Sequence, residues 1–205
     1  MPKATTPAQY VLILIDLVEN QGFEREQLLA GTTLAETGIS GIGARVSEHD
    51  FGQLVRNAFA LTGDPALGLH LGMRLNMSAH AVLGQAIMTC KDLHQVMDLF
   101  LKYYHLLSPA LYLEFEVIGE QAVFTIVSTP EENPIDFAYE MMFAAFLNTL
   151  RGLLGREQMT LAVEFPYPAP AHAADYYAVF GEQVLFNSVR GRIRVDMRLL
   201  DTPLP

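Results

Sequence analysis

The feature that most constrains the fold of this chain is a change of hydrophobic period near residue 109. Within residues 92–107 the apolar side chains recur every three or four positions, which is typical of one face of an α-helix. Residues 111–118 alternate between apolar and polar side chains, as a strand with one solvated side does. A second apolar run, residues 122–127, follows the turn residue Gly119. The pattern therefore predicts a helix followed by a β-hairpin.

A second helix is predicted from residue 134 to about residue 154. Pro134 suits the first helical position, Asn133 is the expected amino-terminal cap, and Gly155 ends the pattern. Because the helix is apolar almost all round, we expect it to be buried.

Helical patterns dominate the chain before residue 109, whereas strands recur after it. We therefore predict an α+β fold in which a helical amino-terminal half packs with a small mixed or antiparallel sheet and a long buried helix. Residues 1–205 are expected to form a single domain, with residues 1–109 and 110–205 as possible subdomains.

Charge and cysteine content exclude several classes of function. The net charge is −10 and the pI is about 4.9, which argues against direct binding of DNA or of an anionic membrane surface. The single cysteine, Cys90, permits no disulfide within the chain and is expected to be a small buried hydrophobe. The apolar run at residues 10–15 is too short to span a bilayer, and the first residues do not resemble a signal peptide. A cytoplasmic location is expected.

No strong catalytic signature is present in the sequence. It contains no glycine-rich phosphate loop, no nucleophile elbow and no metal-spaced Cys/His pair, so we expect neither an enzyme nor a bound metal or cofactor. His94 and Asp98 stand four residues apart and are a weak alternative as metal ligands. His105 is an equally weak alternative as a haem ligand. We interpret these residues as solvated.

Several short motifs occur in order along residues 44–109. They are Arg45-Val46-Ser47, Leu54 with Asn57-Ala58, Thr62-Gly63-Asp64-Pro65-Ala66-Leu67-Gly68-Leu69, Leu83-Gly84, and the helix ending Tyr103-Tyr104-His105-Leu106-Leu107-Ser108. In order and spacing this set resembles the amino-terminal effector domain of AraC-type transcription regulators, in the subgroup labelled arabinose-binding. The similarity continues weakly to Pro205.

This resemblance implies a domain that senses a small molecule, pairs with a second copy and catalyses nothing. It also implies that two helix-turn-helix units follow residue 205 in the intact protein, and that DNA is bound only through them. Residues 26–35 superficially resemble a helix-turn-helix, but they lack the basic residues that a recognition helix needs. We interpret them as a helical pair packed on the core.

Candidate ligand-binding positions come from the two strongest helices. Asp136, Glu140, Asn148 and Arg151 form a polar seam on the otherwise apolar second helix, and this seam either faces water or lines a pocket or subunit contact. The predicted ligand-binding residues are Tyr103, Tyr104, Glu140, Phe143, Asn148 and Arg151, for which core packing is the alternative role. An apolar or aromatic acid is favoured over a sugar, because the sequence has no Trp for sugar stacking.

Two other functions remain open at this point. One is a stand-alone protein that binds or sequesters a small molecule without DNA. The other is an enzyme with an unrecognised site, which would need a pair of titratable groups converging in a pocket.

Overall fold

The computed structural model of the chain describes residues 5–39, 43–129, 131 and 133–204. The helices are α1 (Ala8–Glu19), α2 (Arg25–Leu29), α3 (Leu34–Thr37), α4 (Glu48–Thr62), α5 (Leu67–Gly72), α6 (Ala81–Ile87), α7 (Leu93–Tyr103), α8 (Ile135–Leu154) and α9 (Ala173–Phe180). The strands are β1 (Thr5–Pro7), β2 (Arg45–Ser47), β3 (Tyr112–Ile118), β4 (Gln121–Ser128), β5 (Ala162–Glu164), β6 (Val184–Leu185) and β7 (Gly191–Asp196). Short 3-10 turns cover Met77–His80, Tyr104–Leu106 and Met197–Leu199.

Local capping residues explain where the main helices begin. The Ser47 hydroxyl accepts the Asp50 N–H at the start of α4, and the Asp92 carboxylate accepts the Gln95 N–H at the start of α7. The expectation that Asn133 caps α8 was wrong. Pro134 occupies the cap position without a side-chain hydrogen bond, because Asn133 directs its Oδ1 into the interior instead.

The strands of the described residues form two sheets. In the small sheet, β1 and β2 pair antiparallel. The larger sheet has the order β3-β4-β7-β5-β6, in which only β5 and β6 run parallel, so β3 lies at an edge. One face of this sheet contributes apolar side chains to the core, and its other face carries Arg192, Arg194 and Glu164. The predicted α+β class is confirmed.

The core divides into two hydrophobic clusters. The front cluster joins α1, α2 and α4 with one side of α8, and the back cluster joins the large sheet with α6, α7, α9 and the other side of α8. Helix α8 belongs to both, since Phe137 lies in the front cluster and Phe143 in the back one. Its predicted burial is therefore confirmed, whereas the proposed division into subdomains stays a prediction.

Helix α5 touches the backbone of α8 directly. A Cβ atom on Gly68 would lie 2.8 Å from the Phe137 carbonyl oxygen, and one on Gly72 would lie 2.5 Å from the Met141 carbonyl oxygen. Only glycine permits this approach, because neither carbonyl can move without bending α8. The glycines thus hold the helical half against the long helix.

Candidate ligand-binding site

A cavity of about 160 Å³ lies where the two hydrophobic clusters meet. It is lined mainly by helices α6, α7 and α8, by strands β4 and β7 and by the segment after α7. Most of its walls are apolar and aromatic, a composition typical of small-molecule sites. The apolar lining includes Leu83, Ile87, Val96, Phe100, Leu107, Leu111, Phe124, Ile126, Phe143, Phe146, Leu150, Ile193 and Val195.

A buried chain of three polar side chains borders the cavity. The Tyr10 hydroxyl lies 2.8 Å from His80 Nδ1, and His80 Nε2 lies 3.2 Å from Thr149 Oγ1. Burial lowers the pKa of His80 from 6.5 to about 4, so the imidazole is neutral at pH 7. A neutral imidazole donates from one nitrogen and accepts at the other, which matches one partner on each side.

Two further polar atoms of the lining have no hydrogen-bond partner among the described residues. They are Ser108 Oγ and Asn133 Oδ1, and both are shielded from solvent. A buried polar atom without a partner costs about 1–3 kcal/mol, so such atoms call for an explanation. A ligand carrying a polar group would supply the missing partner.

The charged residues of the cavity lining are few and of one sign. None of the described lining residues is Lys or Arg, whereas Glu48 lines the cavity and accepts a long hydrogen bond, 3.5 Å, from Thr6 Oγ1. Arg45 lies outside the lining, where its side chain donates to Thr5 and to the Leu106 carbonyl oxygen. The site therefore offers hydroxyls and acceptors rather than cations.

Of the residues predicted to bind ligand, Phe143 lines the cavity. Tyr104 lies just outside, where its ring packs against Phe100 and its hydroxyl accepts the Leu113 N–H at 3.2 Å. Tyr103 is 36% exposed, and the Lys102 ammonium lies over its ring.

The predicted polar seam of α8 separates into distinct contacts. Glu140 is 1% exposed and accepts hydrogen bonds from His172 Nε2 at 2.8 Å and from the Tyr176 hydroxyl at 2.5 Å. Its burial raises its pKa, although these hydrogen bonds oppose the shift. Glu140 thus joins α8 to α9 on the side away from the cavity lining.

Asn148 and Arg151 hold main-chain carbonyl groups. Asn148 donates to the Leu75 oxygen at 3.1 Å, and Arg151 donates to the oxygens of Met159 and Val179 at 2.8 and 3.0 Å. These contacts fix the chain around the end of α8. A part for Tyr103, Tyr104, Glu140, Asn148 or Arg151 in ligand binding stays a prediction.

The polar residues of the cavity could not be predicted from the sequence, because they come from distant segments of the chain. Tyr10 and His80 are 70 positions apart, and His80 and Thr149 are 69 positions apart. No spacing rule connects such positions. The one local signal was that Ser108 and Asn133 each precede a proline, which places them in turns next to long helices.

The weaker metal and haem candidates lie elsewhere on the surface. His94 Nε2 lies 3.0 Å from Asp201 Oδ1 rather than beside Asp98, and His105 is exposed. Across the described ranges, no three His, Cys, Asp or Glu residues are grouped so as to hold a metal ion. No helix in that part of the chain is both long enough and apolar enough to cross a membrane.

A mostly apolar cavity with a few polar groups, set between two cores, has the architecture that is usual for small-molecule sites. Residues 22–204 match the family described as "Arabinose-binding domain of AraC transcription regulator, N-term". The chain belongs to this family. The resemblance noted along residues 44–109 is therefore confirmed.

Known proteins that are similar to the chain include two from Pseudomonas aeruginosa. The Ornithine utilization regulator of Pseudomonas aeruginosa is 34% identical over 199 residues, which cover 97% of this chain and 59% of the relative. The transcriptional regulator CdpR of Pseudomonas aeruginosa, a crystal structure, has a TM-score of 0.58 and 17% identity over 71% of this chain and 48% of its own. The second likeness concerns the fold alone. The chain thus spans about three fifths of the first protein and about half of the second.

Proposed function

We propose that this domain senses a small apolar effector in the cavity and transmits its presence to helix-turn-helix units that follow residue 205 in the intact regulator. The observation that carries the proposal is the cavity itself, with its apolar walls and two partnerless buried polar atoms. Family membership supports a regulatory rather than a catalytic role.

The size and lining of the cavity favour a small apolar molecule over a sugar. Its volume of about 160 Å³ is close to that of an engineered cavity of roughly 150 Å³ that binds benzene. A sugar needs many hydrogen-bonding groups, whereas this lining is mostly aliphatic and aromatic. The sequence favoured an apolar or aromatic acid as effector, and the apolar lining of the cavity supports the apolar part of that prediction.

The position of the cavity supports a way to transmit the signal. Tyr10 and Leu75 reach it from the front cluster, while Phe124 and Ile193 reach it from the back cluster. A molecule bound there contacts both clusters at once. The bound molecule would stabilise the arrangement of the domain in which both clusters contact it. Binding would therefore shift the population towards that arrangement.

The remaining parts of the proposal concern the intact protein. A homodimer would place paired helix-turn-helix units on two half-sites. The net charge of −10 supports leaving DNA binding to those units. A cytoplasmic location, where DNA is accessible, follows from this role.

A thermal-shift screen against small aromatics, alcohols, fatty acids, amino acids and sugars tests the proposal. An effector at a hundred times its Kd adds about 2.7 kcal/mol, which raises the Tm of a chain of this length by about 6 °C. We expect shifts with small apolar compounds. Ornithine, included because the relative's name mentions it, should give none, since the cavity is apolar.

A matched pair of variants locates the binding. Val195 lines the cavity, so Val195→Phe should fill it and abolish the shift. Val163 lies in the back cluster outside the lining, next to Ile193 in the sheet, so Val163→Phe controls for overpacking alone. Circular dichroism establishes that each variant folds. A full shift retained by folded Val195→Phe would contradict the proposal.

A further inference from the structure

We infer that the head group of the effector is an uncharged hydrogen-bond donor, such as the hydroxyl of a small alcohol or phenol or the N–H of an indole, and not a carboxylate. This inference rests on the proposed function, and it replaces the acid that the sequence favoured. Two properties of the cavity support it: the sign of the charge on its lining and the kind of its partnerless atoms.

The charges of the site disfavour an anion. A carboxylate buried without a partner is costly, and none of the described lining residues is Lys or Arg. Glu48 lines the same cavity and would repel a second carboxylate. His80 is neutral at pH 7, and Arg45 is occupied by Thr5 and Leu106 outside the lining.

The amino terminus of α8, next to Asn133, is a further feature that could attract an anion. Asp136 already supplies a carboxylate there, since its Oδ1 accepts the Phe137 N–H at 2.9 Å. The Asp136 carboxylate thus already compensates the positive end of the helix dipole. It does not compensate for a missing cation.

The partnerless atoms select a donor. Asn133 Oδ1 can only accept a hydrogen bond, and Ser108 Oγ can accept one or donate one. A ligand hydroxyl can donate to Asn133 Oδ1 or accept from Ser108 Oγ, whereas a carboxylate can only accept and so can satisfy only Ser108. A cation would satisfy the acceptors and be attracted by Glu48, but most of the surrounding wall is apolar and would leave its charge poorly solvated.

Three probes that share the same eight-carbon chain allow the affinities of different head groups to be compared. They are 1-octanol, octanoate and octylamine. Because the alkyl chain is the same in all three, differences in their Kd values report the head group alone. Kd values are measured by isothermal titration at pH 7.5, where octanoate is an anion and octylamine a cation. We expect 1-octanol to bind at least about tenfold more tightly than either ion. Indole, a rigid donor of similar size, should bind as well.

Variants at Ser108 test the head-group contact. Ser108→Ala removes one hydrogen bond and should weaken 1-octanol binding about fivefold. Ser188→Ala, a serine outside the cavity, should leave it unchanged. Ser108→Lys adds a cation at the same position and should reverse the preference towards octanoate, which keeps the inference testable if the alanine variant folds poorly.

The outcomes separate the inference from the proposed function. Octanoate or octylamine binding as tightly as 1-octanol, with binding lost in folded Val195→Phe, would overturn the head-group inference and leave the cavity as the effector site. If none of the probes or indole binds and the broader screen gives no shift, the proposed function fails and the inference with it. Preference for 1-octanol that Ser108→Ala does not change would also overturn the assigned contact.

Discussion

The strongest prediction concerns the cost of keeping His80 uncharged in the interior. Its pKa falls from 6.5 in an unfolded chain to about 4 in the fold, and burial is the cause. The folded protein therefore binds fewer protons than the unfolded chain between these values, so unfolding takes up a proton. Stability is fully present above pH 6.5 and is lost as the pH falls towards 4.

The magnitude follows from the two pKa values. Integrating the proton uptake gives a loss of about 2 kcal/mol between pH 7 and pH 5, and about 3 kcal/mol between pH 7 and pH 4. Other groups also titrate in this range, so the quantity to compare is the difference between the wild type and His80→Gln. The variant has no imidazole and should lack this part of the loss.

Urea unfolding at pH 7, 6 and 5 measures the effect. Circular dichroism is the suitable signal, because the chain is rich in helix and has no Trp. Tyr10→Phe is the matched control, since it removes the hydroxyl next to His80 but leaves the histidine buried. It should lower stability by about 1 kcal/mol at every pH and keep the wild-type slope. Parallel curves for the wild type and His80→Gln would refute the reasoning.

Three more predictions use the same unfolding assay. Gly72→Ala should destabilise the fold by about 3 kcal/mol or more, because its Cβ meets the α8 backbone. Gly152 lies in a helix with open space around it, so Gly152→Ala should stabilise the fold by up to about 1 kcal/mol. If the two alanine variants changed stability equally, the close contact of Gly72 with α8 would be contradicted. Burial raises the pKa of Glu140, so ionising this carboxyl group in the fold costs wild-type stability as the pH rises above 4.5. Glu140→Gln does not ionise, and its stability relative to the wild type should therefore increase with pH. A stability difference that does not change with pH would refute this. Arg151→Gln should lower the free energy of unfolding by about 2 kcal/mol, because it removes two hydrogen bonds to carbonyl groups. The Kd for 1-octanol should stay within twofold of the wild-type value. A larger loss of binding would indicate that Arg151 takes part in the ligand-binding site.

The parts of the fold that were predictable are those encoded in local patterns. Helices α7 and α8 and the β3–β4 hairpin could each be predicted from a hydrophobic period or a turn residue in their own segment. The three-residue strands β1 and β2 were not predicted, because three residues carry no period. Nor did any local pattern contain the strand order of the large sheet, which depends on pairing between distant segments.

The candidate site was less predictable for a related reason. A polar residue on an apolar helix attracts attention, but the pattern does not say what it contacts. Glu140 bonds His172 and Tyr176, from a helix that begins some thirty positions later. Phe143 was found because it faces the back core, as an apolar helix residue should. His80 could not be found, since its environment is assembled from α1 and α8.

The edge position of β3 has a consequence for how the domain behaves in solution. Its outer main-chain groups are not paired within the described sheet, and Tyr112, Val117 and Ile118 are each about half exposed. Such an edge invites intermolecular β-pairing and aggregation, which charges oppose. Glu114 and Glu116 on this strand and the net charge of −10 supply that protection at neutral pH. As the pH approaches the pI of about 4.9 the protection disappears, so colloidal stability should fail before the fold does.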